Sequence, residues 1–237
     1  ILQYRMTKTI PWFQLVCGAM QDAMTIGVVC SYQYWKFREK KSTSYELEVN
    51  ELGEFIIGED GSPTYNAVER SEIIEDEPCI ELLPIENIRF DPGADWINPA
   101  KSSPYLIRMI PMYVCDIKSM MDTTGRNGKS WKKYTDGEIR SASKNSNDQT
   151  QQTRSGNKQS PNDAGNAPIT DYEIVWVHEN FFRIDGEEMV FFTLGTEVML
   201  TDPLPLKDVY FHGERPIVIG TCVIESHSPM PDSPVTF

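Results

Sequence analysis

The sequence predicts an α+β fold that is rich in antiparallel strands, with a few short helices and one long disordered polar loop. Three observations predict it. Short segments of β-branched and aromatic residues recur along the chain, helical periodicity is confined to two places, and residues 141–168 contain almost nothing to bury. Of the 237 residues, 40% are hydrophobic and 11% aromatic, so the chain can form a real core in one large domain or two small ones.

A helix is predicted near the start of the chain. Pro11 suits a first helical turn, and apolar residues then recur at i, i+3 and i+4 spacing. The members of this apolar stripe are Trp12, Leu15, Val16, Ala19, Met20 and Ala23. Gly27 is expected to end the helix.

Strands are predicted after this helix. Residues 28–38 are rich in β-branched and aromatic types, and residues 45–50 alternate as a half-buried antiparallel partner would. Further strands are expected at 54–57, 79–83, 105–110, 172–182, 188–194, 197–200 and 216–224, and a short helix at 114–121 with Ile117, Met120 and Met121 on one side. We expect the aromatic segments 32–37 and 172–182 to form the core.

Turn residues divide these elements. Asp91-Pro92-Gly93 predicts a tight turn, and Asp185-Gly186 predicts a hairpin, because proline presets φ and glycine accepts a positive φ. The predicted organisation has three parts: residues 1–140 form a helix and a β-rich region, residues 141–168 a flexible polar loop, and residues 169–237 a β-rich continuation.

Charge and cysteine usage limit the classes of partner. The net charge of −13 argues against a face that wraps nucleic acid by neutralising its phosphates. The five cysteines are odd in number and include no C-x-x-C pair, so we expect buried free thiols and synthesis in a reducing compartment. No apolar run approaches the length that spans a bilayer.

Motifs that carry chemistry are missing from the sequence. It contains no phosphate-binding G-x-x-x-x-G-K loop, no G-x-G-x-x-G and no G-x-S-x-G. His178-Glu179 has Phe182 where a zinc-binding helix needs its second histidine, and the acidic run 72–77 lacks the spacing of a calcium loop. We therefore expect no catalytic residue, no cofactor and no metal ligand, and predict that the chain is not an enzyme.

One basic island remains as a candidate contact with an acidic partner or with nucleic acid. Within residues 126–133 an aromatic ring lies among cations, which is the composition of a stacking surface. The candidate residues are Arg126, Lys129, Trp131, Lys132 and Lys133.

The order of these segments resembles that of a known family. Five segments are similar to the portal proteins of tailed bacteriophages, most of all the larger portals of short-tailed phages. They are the helix and tryptophan-containing strand at 12–37, the Pro-Ile-Glu-Asn-Ile-Arg-Phe-Asp-Pro-Gly passage at 84–93, Tyr-Leu-Ile-Arg at 105–108, the strand at 172–176 and the segment 211–220. The resemblance covers most of the chain outside 141–168.

The resemblance implies a portal-wing-like domain that leads towards a stem helix beyond residue 237. It implies a ring homo-oligomer, typically of twelve subunits, at the capsid portal vertex of the virion, synthesised in the host cytoplasm. The ring would form part of the conduit for genome packaging and ejection and the platform for tail attachment. Implied partners are the terminase motor, capsid or scaffolding protein, tail or head-completion proteins, and duplex DNA that passes without sequence specificity, with no membrane involved.

Two other readings of the sequence stay open. One is a stand-alone β-rich module for ligand binding or adhesion. The other is a hydrolase whose site no motif reveals, which would need a pocket holding an acid or histidine with a shifted pKa.

Overall fold

The chain forms helices and antiparallel sheets, which confirms the predicted α+β class. The computed structural model describes residues 2–47, 57, 62–122, 131–144, 173–196, 198–210 and 212–236. In chain order the helices are α1 Leu2–Lys8, α2 Trp12–Ile26, α3 Pro99–Ser102, α4 Val114–Asp122, α5 Asp136–Lys144 and α6 Leu206–Val209. The strands are β1 Val28–Leu47, β2 Tyr65–Leu83, β3 Ile88–Phe90, β4 Tyr105–Tyr113, β5 Ile174–Ile184, β6 Glu187–Leu194, β7 Val198–Met199, β8 Leu204–Pro205 and β9 Ile217–Thr221.

Two compact units make up the chain. The ribbon unit contains Ile1–Trp12 and Gln33–Ile80, and the sheet unit contains Phe13–Tyr32 and Glu81–Phe237. The three-part organisation predicted from composition stays a prediction. Residues 141–144 of the predicted polar loop belong to helix α5, and the rest of that loop lies outside the described residues.

The main sheet of the sheet unit has the strand order β3-β4-β5-β6-β7, with β8 also pairing β6, and every pair is antiparallel. Its centre is the long β4–β5 ladder, which runs from Tyr105 opposite Phe182 to Tyr113 opposite Ile174. The sequence predicted strands at 105–110 and 172–182. The register between β4 and β5 determines which of their residues lie opposite one another.

The hairpin between β5 and β6 turns at the predicted dipeptide. Asp185 has φ of 51° and Gly186 has φ of 85°, and Ile184 pairs with Glu187 across the turn. Positive φ at both central residues matches the right-handed twist of the flanking strands, which is why Asp-Gly is selected here.

Helices α4 and α5 cover one face of this sheet. Their buried side chains pack on the apolar ends of β5 and β6, and the members of the cluster are Val114, Ile117, Met121, Ile139, Ala142, Val175, Val177, Leu194 and Leu200. The predicted helix at 114–121 is confirmed, but Met120 is exposed rather than packed beside Ile117.

A second sheet has the order β2-β1-β9. Strand β9 pairs with β1 only from Val28 opposite Thr221 to Tyr32 opposite Ile217. The prediction of two separate strands at 28–38 and 45–50 was wrong, because β1 is continuous to Leu47 and its partner is β2. The acidic run 72–77 lies within β2, and of the predicted strand 54–57 only Ile57 is described, in a bridge to Pro63.

Two predictions about burial were wrong. In the segment 32–37 Tyr32 is buried, whereas Trp35 and Phe37 are exposed, because this part of β1 has no covering layer among the described residues. Of the five cysteines only Cys30 is buried, and Cys17 and Cys222 are exposed.

Candidate functional site

A buried carboxylate lies in the middle of strand β5. Alternation along the strand places Val175, Val177, Glu179 and Phe181 on one face, and all four are buried. Glu179 is only 2% exposed, although a charged side chain is rarely buried unless it is paired. The pattern of the strand therefore forces a carboxylate into the core.

Two side chains partner this carboxylate, and a third, Tyr32, contacts both of them. Arg108, which stands opposite Glu179 in the β4–β5 ladder, donates from Nη1 to Oε2 at 3.1 Å. The Tyr210 hydroxyl donates to Oε1 at 3.0 Å and lies 2.7 Å from the hydroxyl of Tyr32. The Arg108 guanidinium stacks over the Tyr32 ring at 3.8 Å from its centroid. We name Glu179, Arg108, Tyr210 and Tyr32 the Glu179 cluster.

Burial is the largest influence on the pKa values of Glu179, Tyr32 and Tyr210. It raises the pKa of Glu179 above its ordinary value, against the opposing attraction of Arg108 and the hydrogen bond from Tyr210. Burial also raises the pKa of Tyr32 to about 12 and that of Tyr210 further, so both phenols keep their protons near neutral pH. Each polar atom faces a partner of the same chain, and this arrangement ties β4, β5, β1 and the segment after α6 together.

A second polar centre surrounds Arg215, which follows the turn at His212-Gly213. Its guanidinium donates to Glu188 at 2.8 Å and to the carbonyl oxygens of Ala100 and Ser103 at 3.1 and 2.9 Å. The side chain is almost fully buried. It therefore fastens the α3 region to β6 and to the start of β9.

A surface depression of about 240 Å³ lies beside Arg215. Its lining includes Lys101, Arg183, Glu188 and Glu214, and these charges already pair with one another or with main-chain carbonyls. The charged groups of the depression are thus already engaged within the chain.

The basic island is described in part. Trp131 packs against the core with its ring 5.4 Å from that of Phe192, while Lys132 pairs with Asp202 at 2.6 Å and Lys133 with Asp122 at 3.0 Å. Arg126 and Lys129 lie outside the described residues. The three described side chains thus have partners within the chain, and the predicted contact with nucleic acid or an acidic partner stays a prediction.

Histidine and acidic residues form no metal-binding group of three or more in the part of the chain that the structure describes. His178 is half-buried on β5, and its pKa lies below the ordinary value because burial disfavours the charged ring. Among the described helices, none is long and apolar enough to cross a bilayer.

Helix α2 carries a second, exposed apolar stripe, of which the sequence singled out only Met20 and wrongly placed it on the inner face; Trp12 of the predicted stripe is exposed as well. Leu15, Val16, Ala19 and Ala23 of the predicted stripe are half-buried. On an adjacent face of the helix Phe13, Cys17, Met20 and Met24 follow i, i+4, i+7 and i+11 spacing and are exposed. Phe13 is 80% exposed, Met20 61% and Met24 52%. We name these four residues the outer stripe.

Sequence reasoning also missed the Glu179 cluster. Its signal was present in Glu179 itself, a charge at an inward position of the alternation Val175, Val177, Phe181. Arg108 and Tyr210 could not be assigned to it, because they are distant in sequence and only the strand register brings them to it. No protein-family model matches the chain, and no curated protein matches its sequence significantly.

Proposed function

We propose that this chain is the wing part of a tailed-phage portal protein, a wall-forming subunit of a ring at the capsid vertex. The ring would conduct the genome during packaging and ejection and would carry the tail. The order of segments that resembles portal proteins suggests the class of protein, and the surface of helix α2 supports a subunit that packs against its neighbours.

The outer stripe of α2 is the observation that carries the proposal. Within one chain, one side of this helix is half-buried, whereas Phe13, Met20 and Met24 are exposed to solvent. A contiguous exposed apolar stripe on one helix face favours a site of protein contact. In a ring each copy would bury this stripe against the next copy.

The charge of the chain suits a passage for duplex DNA. At a net charge of −13 the chain repels phosphates overall instead of binding them. A moving duplex would then meet no series of salt bridges that must be broken at each step. The two polar centres, around Glu179 and Arg215, contribute rigidity in this account and not chemistry.

Electron microscopy of the product of the full reading frame tests the proposal. We expect rings with a central hole, and single globular particles at all concentrations would overturn it. A reading frame that continues into a long helix after Phe237 is expected, whereas a stop codon at that point would favour the stand-alone module.

The helix contact has its own test. Met20→Glu places a charge in the outer stripe and is expected to abolish ring assembly, since a buried unpaired carboxylate is strongly disfavoured. Met120→Glu is the matched control, because Met120 is also an exposed methionine on a helix, α4, away from the stripe. Rings that form equally well in both variants would remove the support that α2 gives.

The alternative of a ligand-binding module has one observation in its favour, the depression beside Arg215. Its volume of about 240 Å³ is small for a drug-sized ligand, whose pockets are about 300 Å³ or larger. Saturable binding of a small polar solute with protection of the full-length product from unfolding would favour this alternative over the portal proposal.

A further inference from the structure

The ribbon unit leaves the edges of two long strands open. Beyond Tyr32, where the pairing with β9 ends, β1 has β2 on one side and no strand on the other among the described residues. Strand β2 is the end strand of the same sheet, and no strand of the described residues pairs with its outer edge. Unpaired N–H and C=O groups on such edges are templates for pairing with another chain.

The ribbon strands also lack a covering layer among the residues that the structure describes. No residue of 33–47 on β1 or of 65–80 on β2 is buried, and Trp35, Phe37, Tyr45 and Ile73 are exposed. A two-stranded ribbon is only marginally stable by itself. Ion pairs between the strands, such as Lys36 and Arg38 with Glu75, are solvent-exposed on the basic side and add little.

The two edges differ in charge. Residues 33–47 contain four basic and two acidic side chains, a net charge of +2. On β2, the main-chain carbonyl oxygen of Asp76 already accepts a hydrogen bond from the Arg5 side chain at 3.1 Å. The remaining run 65–75 contains three acidic side chains and one basic, a net charge of −2.

Some of these charges have no ion-pair partner in the described part of the chain. They are Lys40 and Lys41 on β1 and Glu69 and Glu72 on β2, and all four are exposed. The two edges are therefore complementary in sign and still have charges to pair.

We propose that the outer edge of β1 in one copy pairs with the outer edge of β2 in the next copy, so that the ribbons join into one continuous intermolecular sheet. The occupant of the β1 edge is a second copy of this chain. This inference rests on the proposed function, because it supplies the contact by which a ring of identical subunits would close.

Charge selects the head-to-tail arrangement. Copies related by a simple rotation about a ring axis place β2 of the neighbour beside β1, and the order β2-β1-β2-β1 stays antiparallel throughout. A two-fold dimer would instead place β1 against β1, basic on basic, or β2 against β2, acidic on acidic. Head-to-tail pairing generates a ring or a filament, whereas a two-fold pair stops at a dimer. Like charges across an interface also suppress the wrong partner.

Charge reversal with complementation tests the pairing. Variant K40E/K41E turns the β1 run to a net charge of −2, and variant E69K/E72K turns the β2 run to +2. In sedimentation velocity each variant alone is expected to associate at least roughly tenfold more weakly than the unchanged chain. An equimolar mixture is expected to recover association, because the changed β1 edge of one variant then meets the changed β2 edge of the other, and the two unchanged edges meet each other, each time with opposite sign.

The mixture separates pairing from folding. Mixing leaves the ribbon of each variant as it was, so recovery arises only from contacts between chains. The control K101E/K207E makes the same change in net charge as K40E/K41E, but on the sheet unit, and is expected to associate like the unchanged chain. Equal association in all variants, no association of the unchanged chain, or no recovery in the mixture would overturn the strand pairing.

The proposed function and this contact fail in different ways. Rings in the electron microscope that persist in K40E/K41E would retain the portal proposal and remove the strand pairing. The opposite outcome is filaments that dissociate in high salt, re-form when the two variants are mixed and never close into rings. It would support the strand pairing and contradict the ring.

Discussion

The sheet unit and the ribbon unit represent opposite ways of stabilising β-structure. In the sheet unit, strand β5 buries Val177, Glu179 and Phe181 beneath helices and neighbouring segments. In the ribbon unit, no residue of 33–47 on β1 is buried within the described chain, and Trp35 is 51% exposed. The sheet unit is thus stabilised by its own core, and the ribbon unit is expected to gain its stability from a neighbour.

The largest expected difference between the two units concerns one aromatic residue in each. Phe181→Ala removes a fully buried ring and is expected to lower the free energy of unfolding by about 3–5 kcal/mol. Phe37→Ala removes an exposed ring and is expected to cost less than about 1 kcal/mol in the monomer. Urea unfolding of dilute protein measures both, and similar losses would mean that the ribbon has a core of its own.

A smaller difference is expected between two arginines. Arg108→Met leaves the buried carboxylate of Glu179 without its cation and is expected to cost about 3 kcal/mol at pH 7. The control is Arg70→Met, which breaks the exposed pair with Glu46 and is expected to cost less than about 1 kcal/mol. The double variant R108M/E179Q should recover much of the loss, and a double variant that is less stable than R108M would contradict the assignment.

The smallest expected effect is a pH dependence that belongs to the sheet unit alone. The folded pKa of Glu179 lies above its ordinary value of 4.5, so the folded state holds this proton more tightly than the unfolded state does. The resulting stability is fully present below pH 4.5 and is lost as the pH rises through the folded pKa. As the pH rises, the unchanged chain should therefore lose unfolding free energy relative to Glu179→Gln. A difference that is flat from acid to neutral pH would contradict the raised pKa.

Local chemistry made much of the sheet unit predictable. Asp185-Gly186 specifies its turn through two positive φ values, and Gly27 ends α2 with φ of 92°. Strands β4, β5 and β6 were found from their β-branched and aromatic residues, and each contributes buried side chains to a core. Their prediction needed no knowledge of distant residues.

The ribbon unit and the Glu179 cluster were less predictable for two different reasons. The acidic run 72–77 forms a strand although its composition is that of a solvated loop, so the pairing with β1 overrides local preference. Glu179 meets Arg108 and Tyr210 through register and tertiary packing, which no spacing within one segment encodes. Of the outer stripe of α2 only Met20 was named from the sequence, and it was placed on the inner face, because one helix carries two apolar faces and only one was sought.

Hydrogen exchange measured at two protein concentrations tests the contrast between the units most directly. In dilute protein, amides of residues 33–47 are expected to exchange much faster than those of β4, β5 and β6, because the ribbon opens locally while the sheet opens only with its core. In concentrated protein the ribbon amides should slow markedly and the sheet amides should not change. Ribbon amides that are already as slow as the sheet in dilute protein, or that do not respond to concentration, would contradict the account.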